Sequence, residues 1–278
     1  MNILEWTILV SIGAFSAGLL GALTGLGGGV VIVPMLTLLF GVDIRYAIGA
    51  SLISVIATSS GAAAAYVREG YSNVRIGMFL EIATTLGAIL GAYLANMISG
   101  GVIAVIFGLM LIYSAYASLT SPDHSTLKQN SGKFADYLRL NGSYPGPGGE
   151  IEYNVYNVPH GFSLMFIAGS LSGLLGIGSG AAKVLAMDRV MKIPFKVSTT
   201  TSNFMIGVTA AASAGIYLYR GYIDPGISMP VMLGVLAGSL TGAKLLIRMK
   251  TKWLRLVFSI VIFVLAFEMI YNGINGRI

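Results

Sequence analysis

The sequence predicts an all-α integral membrane protein: a polytopic helical bundle of two homologous halves, expected to be inverted repeats, each with a glycine-broken helix. Composition, apolar run length and an internal repeat predict it. Charged residues make up 10% of the 278 positions and hydrophobic residues 55%, with a mean hydropathy of +0.82. An ordinary soluble domain is about 25% charged. Too few polar side chains remain here to cover a water-facing surface, so lipid must be the solvent for most of it. That excludes an ordinary soluble enzyme. The 37 glycines exceed the usual share of about 7% and suit close helix contacts within a bilayer.

Apolar runs of about 20 residues, the length that crosses a bilayer, occupy 3–25, 46–67, 76–98, 101–119, 160–178, 197–219, 226–247 and 254–273. The first follows MNILEWTILV, which has no basic leader and no small-residue cleavage site, and reads as a retained membrane helix. Two shorter runs, 29–40 and 180–191, follow glycine clusters and are too short to cross as straight helices. Between the halves, 120–158 is polar, and YLRLNG and EIEYNVYNV around PGPGG predict a β-hairpin. The expected organisation is a first transmembrane repeat over 1–119, a connecting loop over 120–158 and a second repeat over 159–278.

The repeat is carried by glycines in one register. Gly25, Gly27 and Gly29 match Gly176, Gly178 and Gly180 at a spacing of 151 residues, and without a gap Ser51 matches Ser202, Thr58 matches Thr209 and Gly70-Tyr71 matches Gly221-Tyr222. Charge bias predicts how the halves lie. Lys183, Arg189, Lys192 and Lys196 form one basic cluster of the second half, and Arg248, Lys250, Lys252 and Arg255 another. Their first-half equivalents hold only Arg45, whereas Arg68 and Arg75 sit elsewhere. Opposite bias in equivalent loops points to inversion. Inversion requires each short run to count as a crossing; re-entrant runs would leave the halves parallel.

Gly25-Leu26-Gly27-Gly28-Gly29 and Gly176-Ile177-Gly178-Ser179-Gly180 interrupt helices and free backbone N–H groups. Irregular backbone at membrane depth survives only inside protein or beside a cavity. Short helices beginning there aim positive dipole ends at that space, which suits an anion. The structural alternative is tight helix packing. Gly176-x-Gly178-x-x-Ala181 fits a relaxed dinucleotide pattern, but no strand precedes it, so that reading is set aside. Hydroxyls and an amide recur after each short run: Ser51 in the first half, and Ser198, Ser202 and Asn203 in the second. Helix capping accounts for Ser198 but not for Ser202 and Asn203, which are expected to reach a ligand together with Ser51.

The Gly-rich break with Pro34 after it, the Ala47-x-Gly49-x-Ser51 element, GLLGIGSG and the TSN at 201–203 together resemble the sulfite exporter (TauE/SafE) family over nearly the whole chain except 120–158. The resemblance implies a membrane transporter of small sulfur-containing anions such as sulfite or organosulfonates, working as an exporter in the cell membrane.

Charges inside membrane segments carry functional expectations of their own. Glu81 is a candidate proton-coupling carboxylate, or else an inward group bonded to a neighbouring helix. Lys183 either attracts the anion or snorkels to the surface. The two histidines stand apart from any carboxylate pair, and there is no cysteine. No metal site, no cofactor and no enzymatic nucleophile–base pair are therefore expected. The net charge of +6 lacks a basic stripe, so nucleic acid is not an expected partner. The expected partners are a small anion and the bilayer. Gly87-x-x-x-Gly91 and Gly238-x-x-x-Gly242 serve either packing between the halves or a homodimer seam. A passive anion channel with the same lining is the alternative function.

Overall fold

Each half of the chain runs through one long helix, a glycine break, a short helix and three more long helices. The computed structural model describes residues 2–24, 28–68, 70–119, 133–146, 149–246 and 251–278. In the first half these are α1 (Ile3–Thr24), α2 (Gly29–Pro34), α3 (Ile44–Arg68), α4 (Val74–Leu94) and α5 (Gly100–Leu119). In the second they are α7 (Val158–Leu175), α8 (Gly180–Leu185), α9 (Phe195–Tyr219), α10 (Pro225–Leu246) and α11 (Thr251–Ile274). Both short helices widen into a π-helical turn, Met35–Leu39 after α2 and Ala186–Val190 after α8.

Among the described residues four helices are long and apolar enough to cross a membrane: Ile3–Gly21, Val74–Leu94, Val158–Leu175 and Pro225–Gly242. The sequence predicts more spans than this. The difference at α9 has a physical reason. Its Ser198, Thr200, Thr201, Ser202, Thr209 and Ser213 are buried, so its polarity is spent inside the bundle and lowers its hydropathy.

The halves exchange partners. α1 packs on α10 and α7 packs on α4, while α3 pairs with α9 and α5 with α11. Glycines let the exchanged pairs touch backbone to backbone. A Cβ at Gly87 would strike the carbonyl oxygen of Phe166, and one at Gly238 would strike that of Phe15. One at Gly169 would strike Thr84 and one at Gly18 would strike Val235, again on carbonyl oxygens. Each of these contacts has its counterpart 151 residues on. The glycine motifs thus serve packing between the halves.

Helix directions follow from the same contacts. Gly87 faces Phe166 and Gly91 faces Ser170, so α4 and α7 run parallel. α3 and α9 run antiparallel: Asn73, just past α3, donates its N–H to Thr201 Oγ1 at 3.0 Å near the start of α9. Tyr222, just past α9, stacks edge-on against Tyr46 near the start of α3, with centroids 5.5 Å apart. α5 and α11 are also antiparallel, with Gly101 against Gly273 and Gly108 against Ile270.

The hairpin forms, with its first strand later and its second strand shorter than the sequence predicts. β1 (Gly142–Gly146) pairs antiparallel with β2 (Gly149–Tyr153). Tyr137 instead closes a short helix, α6 (Lys133–Tyr137). Arg139 at φ 50 and a bond from Leu140 N to Ala135 O at 2.9 Å turn the chain after it. Asn73 Nδ2 donates to Tyr153 Oη at 2.7 Å, and Tyr71 and Tyr144 pack beside it, 6.5 Å between centroids. Burial pushes the Tyr153 phenol above its ordinary pKa.

Candidate functional site: two glycine breaks and a buried charge network

In the second break three of the four residues from Gly176 to Ser179 leave the right-handed backbone region. Gly176 ends α7 at φ +68 with its N–H on Ser172 O at 2.8 Å. Gly178 follows at φ +71 and Ser179 at φ +48. Glycine takes such angles without a steric cost; serine pays about 1–2 kcal/mol. Ser179 then opens α8, and Lys183 N donates to Ser179 O at 3.0 Å. The Ser179 hydroxyl is buried and has no hydrogen-bond partner among the described residues. A buried hydroxyl without a partner costs about 1–3 kcal/mol.

The first break meets the second. Gly25 and Gly27 lie outside the described residues. Gly28 is buried and right-handed at φ −67, and its carbonyl accepts from Val31 N at 3.1 Å and Ile32 N at 3.2 Å. A Cβ on Gly29 would lie 2.8 Å from Ser51 Oγ and 3.1 Å from Gly176 O. Ser51 Oγ donates to Gly176 O at 2.7 Å, so a hydroxyl of the first half holds the break of the second. Its repeat counterpart Ser202 donates to Gly180 O at 3.3 Å. Both serines are buried. Asn203 is half-buried, with no hydrogen bond from its amide among the described residues. Ser198 is not the cap of α9. It lies within the first turn and donates to Ile193 O at 3.2 Å, because the helix already starts at Phe195 behind Pro194.

Lys183 does not snorkel. It is 0% exposed, and its Nζ donates to Thr209 Oγ1 at 2.5 Å. Thr209 in turn donates to Glu81 Oε1 at 2.6 Å, and Met205 O at 2.9 Å is the alternative acceptor for the same proton. Thr85 Oγ1 also donates to Glu81 Oε1, at 3.1 Å, while Glu81 Oε2 is buried without a partner among the described residues. Glu81 is 8% exposed. A lone buried charge is expensive, and opposite charges bridged by a hydroxyl offset one another.

Sequence reasoning singled out both charges but missed the threonine between them. Thr209 follows Ser202 by two helical turns on one face of α9, and that spacing is the signal that was available. It also missed Asp188, buried in the wide turn after α8. Among the described residues no group of three metal-ligating side chains forms.

The family model described as sulfite exporter TauE/SafE matches residues 10–269. The chain is 29% identical to the probable membrane transporter protein YunE of Bacillus subtilis (strain 168), over 98% of this chain and 99% of that one. It is 26% identical to the probable membrane transporter protein YdhB of the same organism, over 85% of this chain and 89% of that one. To the probable membrane transporter protein ORF9 of Sinorhizobium sp it is 23% identical, over 93% and 90%. No solved structure matches. A helical membrane bundle matched by that model over almost its entire length belongs to the sulfite exporter TauE/SafE family.

Proposed function

We propose that this chain exports a small sulfur-containing oxyanion, sulfite or an organosulfonate, across the cell membrane, binding it where the two glycine breaks meet. The observation that carries the reading is the contact of Gly29 with Ser51 and Gly176, beside the unpartnered hydroxyl of Ser179. Backbone N–H groups at Gly28–Gly29 and Gly178–Gly180, with the Ser179, Ser202 and Asn203 side chains, would replace the anion's hydration. Lys183 supplies the positive charge. Enclosure of the site favours alternating access over a passive channel.

Inversion of the halves is part of the proposal, and the antiparallel α3–α9 and α5–α11 pairs support it. With α1 parallel to α10, each short helix and its wide turn return the chain between two long helices of the same direction. The end that carries the hairpin also carries Arg75, Arg139, Arg189, Lys192 and Lys196, the last over the Tyr71 ring at 3.8 Å. By the bias of basic residues this end is cytoplasmic. The Gly70-Tyr71 loop is then cytoplasmic and the Gly221-Tyr222 loop external. The chain has no cysteine, so Glu150→Cys in the hairpin and Asp224→Cys beside Tyr222 are clean reporters. In intact cells an impermeant maleimide should label only the second; labelling of both would refute inversion.

The function itself is tested by a thermal-shift panel of sulfite, sulfate, sulfoacetate, taurine and acetate, followed by flux in proteoliposomes. A ligand at 100 times its Kd should stabilise the protein by about 2.7 kcal/mol. Saturable flux of the stabilising anion is the expected result. Flux that rises linearly with concentration would favour a channel, and no shift with any sulfur anion would refute the substrate class.

A further inference from the structure

At the buried Lys183–Thr209–Glu81 network the repeat keeps its fold and loses its charge symmetry. At the 151-residue spacing the counterparts of Lys183, Thr209 and Glu81 are Ile32, Thr58 and Met232. The hydroxyl is kept, and apolar residues stand at both charged positions of the counterpart network. Among the described residues Thr58 bonds only within its own helix, to Ser54 O at 3.0 Å and Val55 O at 3.2 Å, whereas Thr209 joins α8 to α4. Apolar residues therefore suffice for packing at the counterpart positions. The charged version calls for a different explanation.

Lys183 is the only fully buried cation among the described residues. Its counter-charge reaches it through Thr209, and Glu81 uses only Oε1 for this, leaving Oε2 bare. With Lys183 protonated and Glu81 ionised the network carries no net charge. A monoanion placed beside Lys183 would leave a net negative charge in a medium where an unpaired charge is costly. Glu81 can cancel that charge by accepting one proton, and Oε2 is the oxygen free to hold it. Other charged groups on the elements packed around the network do not compete for this role. From α7, His160 is exposed at the helix start, and from α9, Lys196 lies over Tyr71. Asp188 lies five residues beyond Lys183 in the wide turn and has a partner of its own.

We propose that Lys183, Thr209 and Glu81 form a proton–anion linkage site, in which a bound monoanion replaces Glu81 as the counter-charge of Lys183 and Glu81 takes up one proton from the accessible aqueous side. This rests on the reading that the neighbouring breaks receive an anion. It deepens that reading by assigning a stoichiometry and by giving Thr209 a positioning role. No covalent bond changes. The proton comes from water and returns to it when the anion leaves.

The test is calorimetric titration of the full chain in nanodiscs with sodium methanesulfonate, an anion that does not itself titrate between pH 6 and 8. Phosphate and Tris buffers, which differ in ionisation enthalpy, report proton uptake. Wild type should take up about one proton per anion where Glu81 is ionised, and its affinity should fall about tenfold per pH unit there. Glu81→Gln should bind with no proton uptake and a flat pH profile. Thr209→Val should shift the profile along the pH axis, and Thr209→Ser should restore it. Lys183→Met should lose about 100-fold in affinity. Because it leaves Glu81 without a counter-charge, Glu81→Gln/Lys183→Met serves beside it as a neutral version that resembles the uncharged counterpart network, expected to fold and not to bind. Binding to wild type without proton uptake overturns the linkage alone, as does undiminished uptake in Glu81→Gln. Absence of methanesulfonate binding to wild type overturns the anion site and the linkage with it.

Discussion

Gly91→Leu should remove folded protein from the membrane, and Gly238→Leu should do the same from the other side of the repeat. A Cβ at Gly91 would fall on the carbonyl oxygen of Ser170, and one at Gly238 on that of Phe15. Neither neighbour is a flexible side-chain tip; each is the backbone of a parallel helix in contact along its length. Overpacking a well-filled core costs about 1–3 kcal/mol, and separating two backbones costs more because every contact along the seam opens with it. Gly215→Leu is the control. It lies on the same kind of helix with nothing within 4 Å of a Cβ and should behave as wild type. Monodisperse yield on size-exclusion chromatography and the thermal midpoint check this. Equal yields for all three variants would mean that the α1–α10 and α4–α7 seams are not what holds the halves together.

The seams were legible in the sequence because glycines at a four-residue spacing recur in both halves, and a second copy in the same register is hard to obtain by chance. Long helices were legible for a simpler reason: about 20 apolar residues in a row have few other uses. What stayed hidden depended on geometry that no spacing encodes. Gly28 and Gly178 read alike within their clusters, yet one is right-handed and the other is at φ +71. Tyr137 has strand propensity but ends a helix, because Arg139 turns left-handed and Leu140 and Ala135 are buried. Glu81 and Lys183 are 102 residues apart and meet only because α8 and α4 both lie against α9. The sequence showed two costly charges. Only the fold shows that one threonine joins them.

Ser179→Gly separates the backbone of the second break from its side chain, and its two effects should have opposite signs. Ser179 is the one non-glycine among the three left-handed residues of that break. Glycine there relieves a strain of about 1–2 kcal/mol and also removes a buried hydroxyl that has no partner, so the variant should unfold at a higher temperature than wild type. If the hydroxyl is held in reserve for the anion, the same change should weaken binding. A hydrogen bond to a charged group contributes about 1.5–3 kcal/mol, which corresponds to about 10- to 100-fold in affinity. Ser179→Val should instead lose both stability and binding, because a β-branched side chain is poorly tolerated at positive φ. The decisive comparison is thermal midpoint against anion affinity for the glycine variant. A more stable protein that binds the anion as tightly as wild type would show that Ser179 only shapes the turn. A more stable protein with weakened binding would mean that the strain at φ +48 is kept because the hydroxyl has a ligand to meet.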